Sequence, residues 1–152
     1  MAERRMFAKT IVLSDEFLDM PPTSRCLYFT LSMLADDDGF VNNPKSIMRQ
    51  CSATQDDLAI LLTKRFVLGF DDGVLVIKHW RINNYLRSDR YTPTKYVEDK
   101  EKLRLNEQGA YTDGVGIPVG IPSIGKDRLG NNNSPSKSKG DTFRKAVERM
   151  KK

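Results

Sequence analysis

The stretch HWRINNYLRSDRY, residues 79 to 91, gathers the side chains of this chain best equipped for binding chemistry. Three arginines, Arg81, Arg87 and Arg90, alternate with three large aromatics, Trp80, Tyr85 and Tyr91, around the pair Asn83-Asn84. Guanidinium groups hold phosphates through charge-assisted bonds, and aromatic faces stack on unpaired bases. Cations interleaved with aromatics therefore suit a single-stranded nucleic acid. Each residue type also has a structural use. A tryptophan at a strand end packs into a core, arginines pair with acids such as Asp89, and Asn-Asn pairs make turns. The arginines, with Lys78 just before them, are the stronger binding candidates. Trp80 is expected to close the fold.

Other chemistry lacks its parts. His79 is the single histidine and has no cysteine or serine partner in a motif, so nucleophilic catalysis has no base. No phosphate-binding glycine loop and no HExxH helix occurs. The run ADDDG, residues 35 to 39, offers three carboxylates and a glycine, but FVNNPK follows it where a calcium loop needs further ligands. It reads as a turn that ends a helix. Cys26 and Cys51 stand apart, which excludes a disulfide framework and a four-ligand zinc site and predicts buried thiols in a reducing compartment. Neither an enzyme nor a metal or cofactor protein is expected.

The elements that must position these residues follow from periodicity and caps. Residues 6 to 13 read as an N-terminal strand or arm, and Ser14 caps a short turn of helix that Pro21-Pro22 ends. Residues 24 to 35 carry Leu27, Leu31 and Leu34 at helical spacing. Phe29 and Met33 make the other side apolar too, which predicts a central core helix. FVNN is a very short strand. Asn43 and Pro44 open a helix through Cys51, and Thr54 with Asp57 forms a capping box for the next, residues 55 to 65. FVLGF and VLVIKHW are strands joined by DDG, a hairpin turn.

Helix, short strand, helix, tight turn, helix, hairpin is the order of a winged helix-turn-helix domain. The expected class is α+β, mainly α, with residues 1 to 92 as that domain and its N-terminal arm. Residues 93 to 112 read as a helical extension, 113 to 140 as a flexible linker rich in Gly, Pro, Asn and Ser, and 141 to 152 as a short basic amphipathic helix. Phe143, Val147 and Met150 line one face of that last helix and make it a candidate protein contact. Net charge is +5, and residues 126 to 152 alone hold nine Lys/Arg against three Asp/Glu. A basic tail favours an anionic partner. No apolar run approaches bilayer length and no signal peptide is evident, so a cytoplasmic protein is expected.

The wording of the sequence adds a resemblance. KTIVLSDEFLDMP, LYFTLSMLADDDGFVNNPKSIMR, DDLAILLTKRFVLGF and VLVIKHWRINNYLRSDRYTPTKY, spanning roughly residues 6 to 111, resemble phage replication proteins of the replisome-organiser type. Those are related in layout to bacterial primosomal proteins of the DnaD kind. The linker phrase SIGKDRLG is similar to linkers in that group. The resemblance implies a winged helix that binds origin DNA or its own copies, a C-terminal region that engages the replication helicase or its loader, and the host bacterial cytoplasm as the compartment.

In such a domain the helix after the turn lies in the major groove. Here Leu58, Leu61 and Leu62 point to the core, and Asp56, Ala59, Ile60 and Thr63 point away, with Lys64 at the edge. Asp56 and Asp57 suit the helix dipole but repel phosphates where base contacts are usually made. Outward Ile60 suits a protein contact. The expected DNA-binding set is Lys45, Arg49, Gln55, Lys64, Lys78, Arg81, Arg87 and Arg90. The first expectation is a DNA-binding replication initiation protein that holds DNA through the wing region and basic tail, assembles replication partners and self-associates. An assembly adaptor using the winged helix for oligomerisation is the second, and a transcriptional regulator the third.

Overall fold

A computed structural model of the chain describes residues 3–114 and 116–119. The fold is α+β, mainly helical, with two small antiparallel sheets. An extended arm runs to Ala8. Two single turns follow, α1 (Lys9–Val12) and α2 (Asp15–Leu18), and the Ser14 hydroxyl accepts the Phe17 amide of α2 at 3.3 Å. The sequence predicts an extended arm as far as residue 13. Its second half is helical instead, because Ala8 sets extended backbone angles and its carbonyl then accepts the amides of Ile11 and Val12.

Helix α3 (Pro22–Leu34) starts on a proline, which costs nothing where no amide partner exists. It buries Ser24, Leu27, Tyr28, Leu31 and Ser32. Its other side is not core, contrary to expectation: Phe29 and Met33 are 38% and 49% exposed, and Cys26 is exposed rather than buried. One face of a helix of this length suffices to meet its neighbours, so the opposite apolar stripe stays at the surface.

Strand β1 (Phe40–Val41) leads to α4 (Pro44–Gln50), capped by Asn43, whose Oδ1 accepts the Ser46 amide at 3.3 Å. The chain then turns through Ser52 at φ +54° into α5 (Gln55–Thr63), which has the expected capping box between Thr54 and Asp57. Strands β2 (Val67–Gly69) and β3 (Leu75–Ile77) form the hairpin, closed by Gly73 at φ +85°. The sheet order is β1-β3-β2, with Phe40 on one side of Val76 and Leu68 on the other.

The last strand ends earlier than the sequence predicts. Ile77 is its final residue, and Trp80–Asn83 coils into a helical turn, α6. The helical extension expected over residues 93 to 112 is also shorter. It forms α7 (Val97–Lys102) and then gives way to β4 (Arg104–Leu105). That strand pairs with β5 (Tyr111–Thr112) and with β6 (Ile117–Pro118), so the second sheet enters the span expected to be linker. The reason is burial. Leu103 and Tyr111 are each 1% exposed and belong to the same core as Val67, Val76 and Ile77. Fully burying one such side chain stabilises by about 1.5–3 kcal/mol. The Tyr111 amide also donates to the Lys78 carbonyl at 2.8 Å, which ties the second sheet to the end of the hairpin.

Candidate nucleic-acid interface

The aromatic and amide groups of residues 79 to 91 are mostly committed to the fold. Trp80 is 2% exposed, and its indole N–H donates to the Asp37 carbonyl at 2.9 Å. The Arg5 guanidinium lies 4.9 Å from the indole centre and donates through Nη2 to the Ala35 carbonyl at 2.7 Å. It also pairs with Asp37 at 3.5 Å. His79 packs on Phe66 with ring centres 5.5 Å apart. Burial, helped by the Lys78 charge, pushes its pKa down to about 4. Asn83 is no base reader. It donates to the Tyr28 hydroxyl at 3.0 Å and accepts the Ala8 amide at 2.9 Å. Asn84 accepts the Met6 amide at 3.0 Å. The pair therefore fastens the N-terminal arm by alternate amides, much as a neighbouring strand would.

The run Asp36-Asp37-Asp38 does more than end a helix. Asp36 Oδ1 takes the amides of Asp38 and Phe40, and its Oδ2 takes the Thr94 hydroxyl at 2.6 Å. Burial lifts its pKa above the ordinary value despite those three donors. Asp37 accepts the Thr92 amide at 3.0 Å as well as Arg5. Asp38 accepts the Tyr91 hydroxyl at 2.8 Å, the Thr94 amide at 2.9 Å and Lys100 Nζ at 3.0 Å, while its carbonyl accepts the Tyr111 hydroxyl. Buried Asp37 and Asp38, with half-buried Asp36, thus dock residues 91–111 onto the helical part. No local spacing in the sequence signals this, since the partners lie 53 to 73 positions away. Among the described residues no group of three or more His, Cys, Asp or Glu is arranged to hold a metal ion.

The expected cations separate into groups. Arg87 pairs with Asp89 at 3.3 Å, both exposed, an interaction worth little. Arg90 is exposed, and Lys78 and Arg81 are half-buried. Lys64 donates to the Glu16 carbonyl at 3.3 Å and is thereby drawn toward α2. Lys45 and Arg49, four residues apart on α4, are both exposed and form no ion pair among the described residues. Gln55 and Asp56 are exposed at the start of α5.

Asp57 differs from the sequence reading. Its carboxylate turns inward and accepts the Thr54 amide at 2.8 Å and the hydroxyls of Thr23 and Ser24 at 2.7 and 2.9 Å. The Thr54 amide and the Thr23 hydroxyl hold its pKa below the ordinary carboxylate value. It offers no charge to a groove-bound ligand, so only Asp56 repels phosphate there. Ile60 also departs from expectation. It is half-buried and packs against the core rather than standing free on the outer face of α5. The hairpin tip carries exposed Asp71 and Asp72, which makes it acidic. Phe143, Val147 and Met150 lie outside the described residues.

One cavity of about 460 Å³ opens between the end of α3, α4 and residues 92–96. Phe40, Val41 and Ile47 form its apolar base, Asn42, Ser46 and Gln50 its rim, and Lys95 faces it from the opposite strap. Phe40 is itself held between Phe70 and Tyr96, with ring centres 5.9 Å away on each side. Comparison with protein-family models, curated proteins and solved structures yields no match.

Proposed function

We propose that this chain is a DNA-binding protein of the phage replication-initiation, replisome-organiser type, built on a winged helix-turn-helix domain. The observation that carries the reading is connectivity. Helices α3, α4 and α5 follow in order with β1 between the first two, and β1 joins the β2–β3 hairpin through β3 in the order β1-β3-β2. The resemblance in wording over residues 6 to 111 supports the same assignment. DNA is held by the exposed cations of α4, Lys45 and Arg49, and by Lys95 and Arg90. The start of α5 and the hairpin tip stand back from phosphates, because Asp56, Asp71 and Asp72 are exposed there.

Equilibrium binding to single- and double-stranded DNA at two salt concentrations, with solution mass measured alongside, tests the proposal. The double variant Lys45→Ala, Arg49→Ala weakens binding to all sequences alike. Removing one cation that neutralises a phosphate reduces the log–log salt slope by about 0.9 on duplex or about 0.7 on single strands. Asp56→Ala leaves binding equal or slightly stronger. Unchanged binding after removal of Lys45, Arg49, Arg90 and Lys95 overturns the reading and leaves an assembly module. One feature favours that second reading. Phe29 and Met33, one turn apart on α3, are exposed, and Phe29 meets Phe7 and Phe17 of the preceding elements at 4.9 and 5.5 Å.

A further inference from the structure

The cavity beside α4 has a polarity that selects its ligand. Phe40, Val41 and Ile47 at its base are 2%, 3% and 6% exposed. Asp36 and Asp37 reach its wall, so a phosphate is repelled from the interior. Both carboxylates are already anchored, and the Asp37 side chain, held by Arg5 and the Thr92 amide, is fully buried, whereas half-buried Asp36, held by the Thr94 hydroxyl, keeps a lone pair that can accept a donor. At the rim, the primary amides of Asn42 and Gln50 have no partner among the described residues. The cations sit outside. Lys95 stands at the mouth, and the Lys45/Arg49 stripe lies one residue round α4 from Ser46 and Gln50. A flat neutral group with donors and acceptors on its edge fits inside, with anions outside.

We propose that this cavity receives one unstacked base of single-stranded DNA. The Asn42 and Gln50 amides read its edge, the Asp36 carboxylate accepts an exocyclic amine, and Lys95 with Lys45 and Arg49 holds the flanking phosphates. The proposal rests on the DNA-binding reading and narrows it to a single strand with a splayed base. Adenine and cytosine, which carry an exocyclic amine, are preferred over thymine, which presents only a carbonyl at that position.

The test titrates the full chain with three short strands of equal length: adenine, thymine, and an abasic deoxyribose–phosphate strand. The adenine strand binds about tenfold more tightly than the abasic strand, since one stacked base is worth about 1–3 kcal/mol. Thymine falls between them. The double variant Asn42→Ala, Gln50→Ala, at exposed positions, lowers adenine-strand affinity toward the abasic value without changing abasic binding or the unfolding midpoint. Equal affinity for all three strands overturns the cavity proposal while DNA binding stands. An equal drop in affinity for adenine and abasic strands in the double variant also overturns it, because the amides then act on the backbone. Failure of all three strands to bind rejects DNA binding itself, and the cavity proposal with it.

Discussion

Gly39 and Trp80 approach so closely that a Cβ on Gly39 would stand 2.6 Å from the Trp80 Cγ. The same glycine has φ +89°, a left-handed conformation that side chains resist. The loop of residues 36–39 and α6 therefore form one packed unit, locked by the indole hydrogen bond to Asp37 and by the Arg5 guanidinium beside the ring. Gly39→Ala is expected to cost about 3 kcal/mol or more, from backbone strain and overpacking together. Urea unfolding measures it. A loss below about 1 kcal/mol would show that the indole can move aside.

Asn83 and Asn84 bind the arm with unequal consequences. Asn83 is 4% exposed and satisfies both Tyr28 and Ala8, whereas Asn84 holds Met6 at the surface. Asn83→Ala strands the Tyr28 hydroxyl, already pushed up to about pKa 12 by its burial, and costs about 2 kcal/mol. Asn84→Ala costs less than about 1 kcal/mol, yet both release the arm. Brief trypsin digestion reads this directly, by faster cleavage at Arg4, Arg5 and Lys9 in each variant. Equal resistance to trypsin in wild type and both variants would refute the fastening role.

His79 gives the fold an acid weakness. Its folded pKa is about 4 against 6.5 for the free side chain, so the unfolded chain takes up the proton first. Stability from the neutral ring is complete above about pH 6.5, falls as pH drops through the window, and levels below about pH 4. Between pH 7 and pH 5 the loss is about 1–2 kcal/mol. His79→Gln flattens that interval, at the cost of a lower stability at pH 7. An imidazole resonance that titrates near pH 6.5 in the folded protein would contradict the buried, neutral state.

The helical half of the fold was legible because its signals are local. Caps at Ser14, Asn43 and Thr54, Pro44 at a helix start and the DDG turn each act within four residues. The second half was not legible for the opposite reason. Residues 93 to 114 take their shape from distant acids and from the core they share with the hairpin, and their own sequence reads as polar helix and linker. The site divides the same way. Lys45 and Arg49, four residues apart on α4, are both exposed. Asp57 and Ile60 are not, since Thr23, Ser24 and the core claim them from elements that a one-helix projection leaves out. The cavity rimmed by Asn42 and Gln50 has no sequence signature, because the strap of residues 92–96 that closes it arrives through its bonds to Asp37 and Asp38.

That dependence sets the true boundary of the folded unit. A fragment of residues 1–92 keeps α1 to α6 and the first sheet but removes Thr94, Lys100 and Tyr111 from the acid run. It leaves Asp36 and Asp38 with fewer donors, and a buried polar group without a partner costs about 1–3 kcal/mol. It also removes Leu103 and Tyr111 from the core they share with the hairpin, at about 1.5–3 kcal/mol for each side chain. The sum is comparable with the whole stability of a small domain. Fragment 1–92 is therefore expected to show no cooperative thermal transition, while fragment 1–119 unfolds cooperatively near the full-chain midpoint. Point variants grade the effect. Tyr111→Phe, which removes only the hydroxyl bond to the Asp38 carbonyl, costs about 1 kcal/mol, and Tyr111→Ala costs about 3–5 kcal/mol. Cooperative unfolding of fragment 1–92 at the full-chain midpoint would place the boundary at residue 92 and reduce the second sheet to an ornament on an independent domain.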